Sequence, residues 1–129
     1  MAKWTIYDYA DPEIGNPMHT WSESLQKKER AKLNSRIDAL AMHGTDLIPG
    51  LVAPTGTASI FKLKIHGNVQ LRPMLCEGPG RNEAAFTFLL GAIEVSSKYD
   101  PPGAPEVAAG LRENLIRNPK WRRIHERVA

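Results

Sequence analysis

The stretches IFKLKIHGNVQLRPML (60–75) and AAFTFLLGAIEV (84–95) decide the fold of this chain. In the first, apolar residues alternate with charged or amide residues, and this period of two predicts two half-buried strands. The second is apolar at nearly every position, which is typical of a strand covered on both faces. Together they predict three consecutive antiparallel strands, a meander with one apolar face and one cationic face.

A three-residue loop at 66–68 sets the predicted register of the first two strands. It places Ile65 opposite Val69 and Lys62 opposite Arg72, with the glycine or the asparagine of the loop at positive φ. A two-residue loop would place a lysine opposite a leucine and mix the two faces. We therefore expect the longer loop.

The segments before the meander predict one strand and one long helix. KWTIYDY (3–9) alternates and predicts a first strand. A helix capped by Ser22 or Ser24 is predicted to run to about Met42, because His43-Gly44 supplies a stop signal. Its apolar stripe comprises Leu33, Ile37, Leu40 and Ala41.

The segments after the meander predict two helices. Pro105 suits the first turn of a helix that runs to Asn118 and ends before Pro119. Its apolar face comprises Val107, Ala108, Leu111 and Leu115. Apolar residues at i, i+3 and i+7 then predict a short basic helix at about 120–128.

Prolines and glycines predict loops at 11–19, 45–59 and 96–105. Pro73 lies within a predicted strand and cannot donate a ladder hydrogen bond, so it predicts a bulge or an outward-facing position. The whole chain, 1–129, is predicted as a single α+β domain. A twisted antiparallel sheet, made of the N-terminal strand and the meander, is packed by a long N-terminal helix and a C-terminal helix.

Composition narrows the functional classes. With 129 residues, of which 24% are charged, the chain is ordinary for a globular domain. The single Cys76 excludes an internal disulfide and a multi-cysteine zinc site, and its place in a strand predicts a buried, unreactive thiol. The four histidines show no i, i+4 pairing, so we expect no metal and no cofactor.

No apolar stretch reaches the roughly 20 residues that span a bilayer, and the N-terminal segment lacks the apolar core of a signal peptide. We expect a cytoplasmic protein without a membrane partner.

Cations cluster along the meander, although the net charge of +3 is mild and does not by itself indicate nucleic acid. The cluster and its flanks comprise Lys62, Lys64, His66, Arg72, Arg81, Lys98 and Tyr99. Cleavage of RNA by its own 2′-hydroxyl needs a base, a cation for the phosphorane-like charge, and an acid for the leaving oxygen. Lysine and arginine can supply the charge, and tyrosine, histidine or lysine the proton. The alternative interpretation is that these cations only solvate an exposed face.

Four short motifs, in this order of elements, resemble the RelE/HigB superfamily, in its phage-derived toxin-like branch. They are IFKLKI (60–65), VQLRPML (69–75), FLLGA (88–92) and PGAPEVAAGLREN (102–114). The resemblance covers roughly 33–114. It implies an mRNA interferase that acts on the ribosome or on free mRNA and is inhibited by a cognate antitoxin.

On the motif match, the resemblance implies that Arg72 takes the place of the family's strand arginine. With Lys98 and Tyr99 from the cationic cluster, it forms the predicted catalytic set. The predicted RNA-binding set comprises Lys62, Lys64, His66 and Arg81. The chain departs from the family where Glu94 and its neighbours replace adjacent lysines after the last strand.

A second hypothesis therefore stays open. It is a non-catalytic phage-derived protein that uses the fold as a structural or virion-associated interaction module, with other phage structural proteins or further copies of itself as partners. It would reside in the virion, whereas a phage-encoded toxin would act in the host cytoplasm.

The two hypotheses differ in what they require of Arg72. A catalytic arginine is at least partly exposed, unpaired and within reach of Lys98 or Tyr99. A structural arginine is paired with a carboxylate, for which Glu77 and Glu94 are the nearest in sequence.

Overall fold

The structure, a computed structural model, describes residues 3–80 and 82–129. Its strands are β1 (Thr5–Tyr9), β2 (Val52–Pro54), β3 (Phe61–Leu63), β4 (Gln70–Leu71), β5 (Met74–Glu77), β6 (Ala85–Leu90), β7 (Ile93–Val95), β8 (Lys98–Asp100) and β9 (Arg122–Ile124). Its helices are α1 (Pro17–Ser24), α2 (Lys27–His43) and α3 (Ala104–Arg117), and a 3-10 turn spans Gly44–Leu47. The predicted α+β class is confirmed.

The strands form two sheets. The large sheet has the order β2-β3-β5-β6-β1-β9, and a small sheet has the order β4-β7-β8. β1 runs parallel to β6, whereas the other neighbours are antiparallel. The prediction of a purely antiparallel sheet is therefore wrong. The chain between β1 and β6 includes α1, α2 and the first meander strands. This connection is long enough for β6 to pair with β1 in either a parallel or an antiparallel direction.

The large sheet is covered on both faces. α1 and α2 pack on one face, where Leu33 and Phe88 belong to one buried cluster. α3 packs on the other, where Leu111 and Cys76 belong to a second cluster. The predicted cationic face is therefore wrong for the middle of the sheet, because α3 buries it. At the β3 end of this face, Lys62 remains partly exposed.

Most of the predicted core residues are buried. They include Leu63, Phe86, Phe88 and Leu90 in the strands and Leu33, Ile37 and Leu40 in α2. The assignment of Val107 to the core is wrong, since this residue is 51% exposed. The buried stripe of α3 begins at Ala104, one turn earlier than predicted, and leaves Val107 outside it.

The register of the meander differs from the predicted one by two residues. Ile65 lies opposite Leu71, and Lys62 lies opposite Met74 rather than Arg72. A shift of two residues preserves which side chains share a face. The side chains predicted to share a face of the sheet therefore do share one, although the predicted cross-strand pairs are wrong.

Both of the longer predicted strands are interrupted where the chain passes between the sheets. The second meander strand breaks at Arg72-Pro73 into β4 and β5. Pro73 is buried, and a bulge follows between Met74 and Leu75. The last breaks between β6 and β7 at Gly91. A Cβ at Gly91 would lie 1.8 Å from the Trp21 ring, so only glycine lets α1 pack against this break.

β2 and β8 form in segments predicted as loops, and α1 begins within the predicted loop at 11–19, before the predicted helix start at Ser22 or Ser24. α1 begins at Pro17, where the Asn16 side chain accepts a hydrogen bond from the amide of His19 at 2.9 Å. α2 is a separate helix that begins at Lys27, so the prediction of one helix capped by a serine is wrong. β8 pairs with β7 through a turn whose two serines have positive φ.

The prediction of a last helix at 120–128 is also wrong. β9 forms there instead and pairs antiparallel with β1. Arg122 anchors it, because the guanidinium lies 4.0 Å from the centre of the Tyr7 ring and donates two hydrogen bonds to Glu83. The edge of β1 offers unpaired backbone groups, whereas a short isolated helix is marginal in water.

Truncation of Leu90 tests whether β6 is central to stability. Leu90→Ala is expected to lower the free energy of unfolding by about 2–5 kcal/mol, because it leaves a cavity in a packed core. Val107→Ala, at an exposed apolar position, is expected to change it by less than about 0.5 kcal/mol. Urea unfolding measures both, and an unchanged midpoint for Leu90→Ala would show that β6 is not central.

Candidate functional site

Arg72 lies at the break between β4 and β5, where the two sheets separate. Its side chain is only 7% exposed. Its Nε donates to the Glu94 carboxylate at 3.0 Å and its Nη2 donates to the Gln70 side-chain oxygen at 3.2 Å. Its Nη1 donates to the backbone carbonyl oxygens of Leu71 at 2.8 Å and Ile65 at 3.4 Å. The guanidinium is therefore bonded through all three of its nitrogens.

These contacts make Arg72 a structural arginine. It is buried and paired with Glu94, one of the two carboxylates named for a structural role. A catalytic Arg72 requires an exposed and unpaired guanidinium, whereas this guanidinium is buried and paired. Its donors instead satisfy backbone carbonyl oxygens at a point where the strand ladder is interrupted.

Glu94 extends the contacts to two residues from other strands. The Lys62 ammonium lies 3.6 Å from the Glu94 carboxylate and donates a 2.8 Å hydrogen bond to the Tyr99 hydroxyl. It lies 5.3 Å from the centre of the Tyr99 ring, so it sits beyond the hydroxyl rather than above the ring face. The hydrogen bond is therefore the contact that matters between these two residues.

His66 joins the same network at its other end. Its Nδ1 lies 2.9 Å from the Gln70 side-chain oxygen, the atom that also accepts from Arg72. An oxygen acceptor requires the hydrogen to be on Nδ1 in this contact. We call the connected set the Arg72 cluster. It comprises Lys62, His66, Gln70, Arg72, Glu94 and Tyr99.

The Arg72 cluster unites four of the seven residues predicted for the site. Lys64 is half-buried and Lys98 is exposed, and within residues 3–80 and 82–129 neither side chain makes a hydrogen bond or an ion pair. Lys98 precedes Tyr99 on β8, so the two side chains point to opposite faces of the small sheet. Arg81 falls outside the described residues.

Sequence reasoning missed two members of the cluster. In the sequence, Glu94 marks a departure from the family pattern and is a candidate partner of Arg72, but neither Glu94 nor Gln70 was predicted for the site. Their shared signal is register: Gln70 lies opposite Glu94, which in turn lies opposite Tyr99, across the small sheet. That register was not predictable, because β8 falls in a segment that was predicted as a loop.

The charged groups of the Arg72 cluster do not balance one another. Two permanent cations surround one carboxylate, so the cluster has a net positive charge. Glu94 is 27% exposed and Lys62 is 18% exposed, so these two, rather than Arg72, present charge to solvent. The surface therefore offers a proton acceptor, a cation and, in Tyr99, a hydroxyl donor.

Two other polar features are structural. The His125 imidazole and the Asp8 carboxylate form a buried contact of 2.9 Å, and Asn16 donates to the same carboxylate at 3.1 Å. This contact fixes the segment after β9 against β1. Cys76 is buried, as predicted, and burial raises the pKa of its thiol to about 12, so the thiol stays neutral.

Comparisons of the chain with protein-family models, with curated proteins and with solved structures found no match. The resemblance to the RelE/HigB superfamily therefore stays a hypothesis based on the four motifs. Among the described residues, no helix is long and apolar enough to cross a membrane. The same residues contain no group of three or more metal-ligating side chains placed to hold an ion.

Replacement of Arg72 tests its structural role. Arg72→Met is expected to lower the free energy of unfolding by about 2–4 kcal/mol, somewhat less than is usual for breaking a fully buried ion pair, because Glu94 is partly hydrated. Lys64→Met, on the same strand face as Lys62, is expected to change it by less than about 0.5 kcal/mol. Urea unfolding of both variants measures the difference. Equal stabilities would show that Arg72 is not needed to hold the sheets together.

Proposed function

We propose that this protein is a toxin-type protein of RelE/HigB-like fold that acts on RNA, with the Arg72 cluster as its site. The observation that carries the proposal is the position of the Lys62 ammonium, in contact with both the Glu94 carboxylate and the Tyr99 hydroxyl. These three groups match the three services that cleavage by a 2′-hydroxyl requires. They come from β3, β7 and β8, and so depend on the packing of the two sheets.

Each group has a defined role in the proposed reaction. Glu94 accepts the proton of the 2′-hydroxyl, whose oxygen attacks the neighbouring phosphorus. Lys62 stabilises the charge that develops on the phosphate oxygens. Tyr99 gives its proton to the leaving 5′-oxygen as the phosphorus–oxygen bond breaks. The products are a 2′,3′-cyclic phosphate and a 5′-hydroxyl.

Arg72 is a positioning residue in this scheme. Its Nε holds the Glu94 carboxylate in place, and its positive charge offsets the repulsion between that carboxylate and an approaching phosphate. Lys64, on the same strand face as Lys62, keeps a partly exposed side chain that can contact the RNA backbone, whereas Lys98 points to the other face of the small sheet and has no role in this scheme. A cognate antitoxin would act by covering this surface.

The burial of Arg72 favours a second candidate function. If the arginine serves only to join the sheets, the fold is a non-catalytic interaction module, as the alternative hypothesis holds. The same surface would then bind a protein partner, a phage structural protein or a further copy of the chain. This candidate predicts that neither RNA cleavage nor growth inhibition accompanies expression.

Loss of one hydroxyl group tests the catalytic proposal. Tyr99→Phe is expected to lower the rate of RNA cleavage at least about 100-fold, because it removes the general acid while keeping the ring. The matched control is Tyr7→Phe, which removes a hydroxyl from β1, a strand separated from β3 by β5 and β6 in the large sheet. Cleavage is measured on single-stranded RNA and on ribosomes programmed with mRNA, with the 2′,3′-cyclic phosphate end as the signature.

Two results would contradict the proposal. One is wild-type protein that neither cleaves RNA in these assays nor inhibits growth on expression, which would favour the interaction module. The other is Tyr99→Phe protein as active as the Tyr7→Phe control, which would remove Tyr99 from the chemistry.

A further inference from the structure

A cleft of about 330 Å³ lies between α2 and the segment that joins β3 to β4. The residues that line it are basic, small or apolar, and comprise Ala31, Lys32, Ser35, Arg36, Ile65 and His66. Among the described residues, no carboxylate contributes to the lining. The cleft therefore offers positive charge, a hydroxyl group and apolar surface, a combination that suits an anion.

The two permanent cations of this cleft have no counterion. Lys32 and Arg36 are at i and i+4 of α2, so their charges lie on the same side of the helix and repel each other. In the part of the chain that the structure describes, neither makes an ion pair or a side-chain hydrogen bond. Of the two α2 carboxylates, Asp38 pairs with Arg127, and Glu29 lines a different cleft. An anion bound between Lys32 and Arg36 would relieve their repulsion.

The Lys32 ammonium lies against the loop that carries His66. A Cβ at Gly67 would lie 2.6 Å from the Lys32 Nζ, and the Lys32 side chain is half-buried. His66 lines the cleft and also belongs to the Arg72 cluster, through its contact with Gln70. The cleft and the Arg72 cluster are therefore neighbours, with His66 between them.

We infer that this cleft binds a backbone phosphate of the RNA, beside the phosphate that Lys62 contacts. The inference rests on the proposed function, because it extends the same site. Lysine, arginine and serine side chains all donate hydrogen bonds to phosphate oxygens, and contacts to charged groups are the stronger ones. Phosphate contacts fix the position of a nucleic acid without reading its bases. The cleft thus places the RNA strand relative to Glu94 and Tyr99 whatever its sequence.

Binding of an RNA that cannot be cleaved tests the inference. The probe is a short single-stranded RNA with 2′-O-methyl groups, and its affinity for the full chain is measured by fluorescence anisotropy at several salt concentrations. Lys32→Met and Arg36→Met are each expected to weaken binding at least about fivefold in about 50 mM salt, and to reduce the slope of log K against log salt by about 0.7, because each removes a phosphate contact.

Lys27→Met is the matched control, since it removes the same charge from an exposed position of α2 outside the cleft. It is expected to bind the RNA like wild type. Equal RNA affinities of Lys32→Met, Arg36→Met and Lys27→Met, or no RNA binding by wild type, would overturn the inference. Inorganic phosphate is titrated in parallel. Phosphate binding that is lost in Lys32→Met, without a difference in RNA binding, would assign the cleft to free phosphate and also overturn the inference.

Cleavage of unmodified RNA separates this inference from the proposed function. If the three variants bind alike and wild type cleaves RNA, the role of the cleft is wrong and the proposed function stands. If Lys32→Met and Arg36→Met bind more weakly than the control but wild type does not cleave RNA, the cleft binds RNA and the proposed chemistry is wrong.

Discussion

The ion pair between Arg72 and Glu94 is the interaction on which the arrangement of the two sheets depends. Pro73 interrupts the strand ladder, and Gly91 interrupts the neighbouring strand, so the chain passes from one sheet to the other at both places. Arg72 spans this junction, since its backbone amide donates to Ala92 at 2.8 Å and its side chain bonds carbonyl oxygens and the Glu94 carboxylate. A lysine could not replace it, because only the guanidinium fork reaches several acceptors in fixed directions.

The pair also shapes one face of the small sheet. There the Glu94 carboxylate is turned toward Lys62 and Tyr99, which creates the proton acceptor, cation and hydroxyl of the proposed RNA site. Lys62 belongs to β3 of the large sheet, so this arrangement depends on the packing of the two sheets.

The sequence predicted the parts of the fold that follow from local pattern. Alternation located β1 and the meander, and the helical period located α2 and α3, because burial of one face imposes those periods. The sequence pattern did not predict the features that depend on tertiary contacts. The meander register shifted by two residues, which alternation cannot detect, and the segment around Ile124 became a strand because β1 offered an edge. For the site, the basic and aromatic residues and the pairing of Arg72 with Glu94 as one alternative were identifiable from the sequence. The position of Tyr99 opposite Glu94 was not, because it requires β8, which forms in a segment predicted as a loop.

A double-mutant cycle on Arg72 and Glu94 tests the central claim most directly. The free energies of unfolding of wild type, Arg72→Met, Glu94→Gln and the double variant are compared by urea denaturation. If the pair joins the sheets, the effects are non-additive, with a coupling energy of about 1.5–3 kcal/mol, as found for directly contacting residues. Additive effects within about 0.5 kcal/mol would mean that the two residues act independently, and the account of the junction would be wrong.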